Sequence, residues 1–314
     1  MGFARSTDPF GRNYAVRVHV STPAAVDACR SGGNPRRGRR RAALLVAGIA
    51  LFFTGGLAPA PAGAAAPVGE FRADCLFSHR KGDDPIVAPR RPGAFHSHDF
   101  FGNRSTGAGS TLRSLRRART SCEPEVDRSA YWVPTLYDGR GRPITATRLV
   151  AYYVTSNKRP DRLRPYPLGL MMIAGNGAAR GPEADPIVAE WSCLGAGRPS
   201  SPSIGRCPGG SKLELGLRFP DCWNGRDLDS ADHRSHMAYS KAGSCPATHS
   251  VAVPELKLKL TYPTRGSPSM RLASGRGYTA HGDFINAWEP RELARRIRDC
   301  LAPAVKCDPY GEPE

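Results

Sequence analysis

The sequence predicts a mainly β protein: a single domain of two packed sheets, sandwich or jelly-roll-like, with long loops and a C-terminal helix. Three observations predict it. Residues 213–219 (Leu-Glu-Leu-Gly-Leu-Arg-Phe) and 256–260 (Leu-Lys-Leu-Lys-Leu) alternate with a period of two, as half-buried strands do. The 34 glycines and 29 prolines are spread along the chain as turn punctuation. Only residues 290–301 repeat apolar side chains at helical spacing. Many strands, frequent turns and one late helix describe two stacked sheets.

At the N-terminus, the arginine-rich stretch 36–41 precedes a short apolar run, 42–54, and a Pro/Ala/Gly stretch containing Ala62-Gly63-Ala64. A basic region, an apolar core and a small-residue cleavage site predict a secretory signal peptide over residues 1–64. The apolar run falls short of a span of about 20 residues; an uncleaved membrane anchor is the alternative. A linker over 65–73, one domain over 74–307 and a tail over 308–314 follow. The roughly 250 residues after the leader suffice for one sizeable core.

The remaining elements come in order. Residues 131–137 form a strand in which Pro134 suggests a sheet edge or bulge, followed by the turn residues Asp138-Gly139. Residues 148–154 and 168–174 are more continuous apolar strands. The Gly/Pro/Ser-rich segment 176–210 is a long excursion between strands. In the helix, Pro290 suits the first turn, and Leu293, Ile297 and Leu301 recur every fourth residue.

Cysteine usage agrees with export. Cys29 lies upstream of the cleavage site; Cys75, Cys122, Cys193, Cys207, Cys222, Cys245, Cys300 and Cys307 remain. An even number predicts disulfides. Proximity along the chain suggests Cys193 with Cys207, Cys222 with Cys245 and Cys300 with Cys307, leaving Cys75 for Cys122, although other pairings stay open. A zinc cluster is disfavoured because no C-x-x-C pair exists. The formal charge is +17, of which residues 1–41 hold nine arginines against Asp8 and Asp27, so the rest is near +10. This charge looks dispersed among Arg-Pro-Gly loops. That suits an anionic cell envelope or extracellular glycan, not dedicated nucleic-acid binding.

The chemistry-bearing residues are the histidines. Of eight, six fall in four polar blocks: His96-Ser97-His98-Asp99, Asp232-His233-Arg234-Ser235-His236, Thr248-His249-Ser250 and His281-Gly282-Asp283. His96 and His98 share a face if they lie in a strand. His233 and His236 share one if they lie on a helical turn, with Asp229 or Asp232 to orient a ring. The bland readings are turn caps, a loop-holding hydrogen-bond network and ordinary core aromatics. The sharper expectation is one assembled site. No G-x-S-x-G, P-loop or H-E-x-x-H motif is present.

Further blocks accompany these: Asp84-Pro85-Ile86-Val87, Phe100-Phe101-Gly102-Asn103, Tyr131-Trp132-Val133-Pro134-Thr135, Met172-Ile173-Ala174-Gly175-Asn176 and Cys222-Trp223-Asn224-Gly225. In this order, over roughly residues 74–300, the set resembles the domain of unknown function 1996, a family of secreted bacterial and fungal proteins. The resemblance implies a secreted single domain with a shared His-rich site. Fungal members with an added carbohydrate-binding-type domain imply a lean toward cell-wall polysaccharide. The expected function is a secreted hydrolase or lyase on extracellular polysaccharide. His98, His236 and Asp283 would share acid/base work, and Trp223, Asn286 and His249 would bind substrate. The alternative is a non-catalytic metal-binding or glycan-binding envelope protein with His96, His98, His233 and His236 as ligands to zinc or copper.

Overall fold

The structure, a computed structural model, describes residues 3–7, 13–17, 68–156, 159–182, 188–197 and 199–314. The chain divides into two compact units, Met1–Ala65 and Ala66–Glu314. In the first, strands Phe3–Thr7 and Asn13–Arg17 pair antiparallel; the apolar run read as a signal-peptide core lies outside the described residues. No helix among the described residues is long and apolar enough to cross a membrane.

The principal strands of the second unit are β1 (Glu70–Cys75), β2 (Phe77–Lys81), β3 (His98–Gly102), β4 (Cys122–Glu123), β5 (Ala130–Pro134), β6 (Arg148–Val154), β7 (Met171–Gly175), β8 (Ala189–Cys193), β9 (Leu213–Arg218), β10 (Glu255–Thr261) and β11 (His281–Ile285). Its helices are α1 (Leu112–Arg117) and α2 (Pro290–Arg296). One antiparallel sheet has the order β8-β9-β10-β6-β1-β4, the other β7-β11-β5-β3-β2. The chain passes from the first sheet to the second through the single residue Leu76, and the Cys75–Cys122 disulfide joins β1 to β4 beside that corner.

Period-two patterning places the core between the sheets. Phe71, Leu149, Tyr153, Leu215, Leu217, Leu256, Leu258 and Leu260 of the first sheet meet Phe101, Tyr131, Val133, Met172 and Phe284 of the second. Burying each such side chain contributes about 1.5–3 kcal/mol. The second sheet is also covered on its other face. There Phe100, Trp132, Ile173 and Ile285 lie under Ile86 and Leu115 of α1. Two buried faces explain why β5 and β7 read as continuous apolar runs.

Several expectations need correction. β5 is the middle strand of its sheet, so Pro134 does not mark an edge. It is the last residue of the strand, opposite His98. The strand expected from residue 168 begins at Met171, and the excursion 176–210 contains the edge strand β8. Helix α1 was not read from the sequence. It is six residues long, started by a capping box between Thr111 and Ser114, with Leu115 as its buried residue. The C-terminal helix starts at Pro290 as expected, then widens into a π-helical turn over Ile297–Leu301. The four disulfides are Cys75–Cys122, Cys193–Cys207, Cys222–Cys245 and Cys300–Cys307, the pairs that proximity suggested.

A polar chain crosses this core. The Tyr131 hydroxyl donates to Asp127 (2.6 Å) and meets the Tyr153 hydroxyl (2.6 Å), which accepts from the Trp288 indole (2.8 Å). Burial pushes the Asp127 carboxyl up to about 6 from 3.8, against the hydrogen bonds from Tyr131 and Ser129. The native state therefore holds a proton that the unfolded chain releases earlier. That contribution is full below about pH 4 and is lost as pH rises through 6. Relative to Asp127→Asn, the wild type should lose up to about 3 kcal/mol between pH 4 and 7.5. Urea unfolding of both proteins across that range checks this; parallel stability curves would refute it.

Candidate metal and acid–base site

Strand parity builds the site. In β11, Gly282 and Phe284 face the partner sheet, while His281, Asp283 and Ile285 face the other way. A Cβ on Gly282 would lie 2.6 Å from Leu217 Cδ1, so glycine is what lets the sheets approach here. In β3, His98 and Phe100 take the same outer face. Trp132 of β5 sits between, opposite Asp283 on one side and Phe100 on the other. The segment 83–97 folds over this face. The Asp83 carboxylate accepts from the backbone N–H groups of Gly93 (2.8 Å) and Ala108 (3.1 Å). Asp84 accepts from those of Ile86 and Val87, both at 2.9 Å.

Five side chains meet as a result. One ring nitrogen from each of His96, His98 and His281 lies within 4.8 Å of the others, and so do ligand atoms of Asp84, His98 and Asp283. His98 Nδ1 donates to the Asp83 carbonyl and His281 Nδ1 to the Thr279 carbonyl, each at 3.0 Å. A carbonyl can only accept, so each Nδ1 carries the proton and each Nε2 presents a lone pair. Those two Nε2 atoms are 3.5 Å apart. His96 Nε2 and both Asp283 oxygens are buried without a hydrogen-bond partner.

Electrostatics point the same way. Burial pushes His96 and His281 down to about 4. His98 is pushed well below its ordinary value, by burial first and then by its two imidazole neighbours. Burial, with Asp84 adding to it, raises Asp283 well above the usual carboxylate range. Neutral imidazole donors thus converge beside a carboxyl that burial favours in its protonated form, a set of groups that could hold a cation. Backbone carbonyls behind two of the imidazoles are the partners that orient metal-ligating histidines. The third cluster of ligand-type side chains, Cys75, Cys122 and Asp127, is different, because its sulfurs are joined in a disulfide.

At the mouth, His96 is half-buried, and the half-buried Phe95 ring lies 4.6 Å from it. Arg234 donates to the Gly175 carbonyl (2.7 Å), and its charge acts on both His281 and Asp283. Gly177 lies against the His281 ring; a Cβ there would be 2.8 Å from Cε1. His233 bonds through Nδ1 to the Asp229 carboxylate (2.9 Å) and is near enough to Asp84 to act on it electrostatically. It sits in a tight turn at φ 58°.

The structure brings together His96, His98 and Asp283 of the residues singled out from the sequence. The others hold backbone elsewhere. His236 is buried with both nitrogens occupied, Nδ1 by Ser230 Oγ (2.9 Å) and Nε2 by the Met171 carbonyl (2.7 Å). His249 bonds the Thr248 hydroxyl and the Ser235 carbonyl, each at 2.9 Å. The Trp223 indole donates to the Asp227 carbonyl (2.6 Å). Asn286 donates to the carbonyls of Tyr166 (3.1 Å) and Pro167 (3.0 Å). Sequence reasoning left out His281, Asp84, Phe95 and Arg234 as site residues. The i, i+2 spacing of His281 and Asp283 was the available signal.

A family model described as "Domain of unknown function (DUF1996)" matches residues 84–288, well over half of the chain. Among curated proteins and solved structures, no match is found. The matched segment contains Asp84, His96, His98, Arg234, His281 and Asp283.

The two kinds of histidine separate in a stability measurement. His236→Ala leaves the Met171 carbonyl and the Ser230 hydroxyl without their ring partners, and should lower the unfolding free energy by about 1–3 kcal/mol. His98→Ala, which relieves the facing lone pairs, should cost the metal-free protein less. Guanidinium unfolding in chelator compares them, and a larger loss for His98→Ala would reverse the assignment.

Proposed function

We propose that this chain, which belongs to the domain of unknown function 1996 family, is an exported metal-dependent enzyme acting on an extracellular glycan. His96, His98 and His281 hold an ion of the zinc or copper class. The observation that carries this reading is the pair of Nε2 lone pairs facing each other at 3.5 Å, beside a buried, unpartnered His96 Nε2 and Asp283 carboxylate. Imidazole donors suit zinc and copper, and three histidine ligands leave room for a further coordination position, as catalytic sites do.

Such an ion supplies a Lewis acid that polarises the oxygen of the bond being broken. The chain's own groups do the rest. Asp84 and Asp283 lie carboxyl against carboxyl beside His98, a pairing in which one can hold a proton while the other stays ionised. The hydrogen-bonded Asp229–His233 pair lies within electrostatic reach of Asp84. Arg234 adds positive charge, and the Phe95 ring offers a stacking face for a sugar at the mouth. The four disulfides support export, since they form in oxidising compartments.

Elemental analysis of untagged protein from culture medium should find about one zinc or copper per chain, lost in His98→Ala and His281→Ala and kept in His249→Ala. Metal at 100 times its Kd should stabilise the protein by about 2.7 kcal/mol. Gly177→Ala should weaken metal retention by displacing the His281 ring. Mass spectrometry on a panel of polysaccharides should detect products from the wild type and none from His98→Ala. Full activity in metal-free protein would overturn the metal reading. Stoichiometric metal with no product from any glycan would overturn the enzyme reading in favour of a non-catalytic metal-binding envelope protein.

A further inference from the structure

We infer that the groove beside α1 binds an acidic polysaccharide, one that carries uronate carboxylates. Arg113, Arg116 and Arg117 of α1 and Arg128 across from them line a cavity of about 420 Å³, with Leu112 as its apolar wall. Each of these arginines is exposed, and no acidic side chain lines the groove. Arg104 and Arg119 adjoin it, paired through their backbones at 2.9 Å. Arg128 Nη1 donates to the Arg116 carbonyl (2.9 Å), which fixes one guanidinium against the helix end. Four of the exposed arginines thus lie together on one short helix and the segment across from it.

Guanidinium groups gathered without counter-charges repel one another, and a bound polyanion relieves that repulsion. The planar fork of arginine matches a carboxylate in a bidentate way. The groove holds no aromatic side chain on which nucleic-acid bases would stack.

Position connects the groove with the His/Asp centre. α1 covers the outer face of the same sheet, with Leu115 against Phe100 and Ile285. Asn103, just past β3, donates to the Leu115 carbonyl (2.8 Å). The five residue steps from His98 to Asn103 span about 16 Å at the rise of a strand. Leu112 and Leu228 both lie against Gly169 and bridge the groove toward the loop that carries His233 and Arg234. The helix that lines the groove and the His/Asp centre thus lie over the same face of one sheet. As a statement about substrate, this rests on the glycan-directed reading of the centre; as a statement about binding, it stands alone.

The test is calorimetric titration of the full chain with polygalacturonate at low salt. The comparison ligands are neutral β-glucan, a single-stranded RNA and phosphatidylglycerol vesicles. The wild type should bind polygalacturonate in preference to all three. The variant Arg113→Ala/Arg116→Ala/Arg117→Ala should lose at least tenfold in affinity. It should also lose about two to three units from the log–log salt slope, as the removed charges release fewer counterions. A control variant of exposed arginines outside the groove, Arg140→Ala/Arg271→Ala/Arg276→Ala, should bind as the wild type does, and unchanged melting temperatures establish that both variants fold. Equal losses in the two variants, no binding of polygalacturonate, or preference for RNA or vesicles overturns the proposal. His98→Ala should bind polygalacturonate normally, so a failed metal centre and a failed groove give different results.

Discussion

Four strands of the five-stranded sheet, β7, β11, β5 and β3, are covered on both faces. One face is closed by the partner sheet, the other by the segment that starts at Asp83 and by α1. Polar groups placed between those layers must find partners there, because water cannot serve them. Asp83 and Asp84 meet this demand by accepting backbone N–H groups, and in doing so they fix the covering segment. His98 and His281 meet it with one nitrogen each and leave the other exposed to its counterpart. Asp283 does not meet it at all. The residual demand, three nitrogens and a carboxylate, is what gives the site its chemical character.

What could be read from the chain follows from the same layering. β10 buries one face and leaves the lysines of the other half-exposed, so its period-two pattern was plain; β9 kept the alternation in sequence although Glu214 is buried as well. The disulfides followed from spacing because three of the four close loops of 23 residues or fewer. β5 and β7 are buried on both faces and lose the alternation that distinguishes centre from edge. Pro134 then misled, since a proline at a strand's last residue and one on an edge look alike in sequence. The histidines were equally ambiguous. His236 and His281 stand in similar polar blocks, and only the Met171 carbonyl opposite one and the His98 nitrogen opposite the other tell them apart. The arginines looked scattered because Arg113 and Arg128 are brought together by a tertiary turn through Asn103.

The loop that contributes Arg234 and His233 is tied down at both ends. Cys222 and Cys245 bridge it, Cys222-Trp223 pairs with both Met237-Ala238 and Val251-Ala252, and His236 and His249 pin its middle. Histidines that do not reach the centre thereby hold one side of its entrance. Their role is to keep a polar loop from fraying, which matters where binding groups sit on loops carried by a rigid scaffold.

Gly282 links this entrance to the molecule's interior. It presents hydrogen to Leu217 of the opposing sheet, while its neighbours His281 and Asp283 point the opposite way. The separation of the two sheets therefore sets how far β11 stands out, and with it the bite of the histidines. In the proposed metal site, core volume at Leu217 would therefore act on the space left for the ion. A change made wholly within the hydrocarbon interior, touching no donor atom, would then reach the donors through the backbone of β11. Core packing and the spacing of the donor set depend on the same strand.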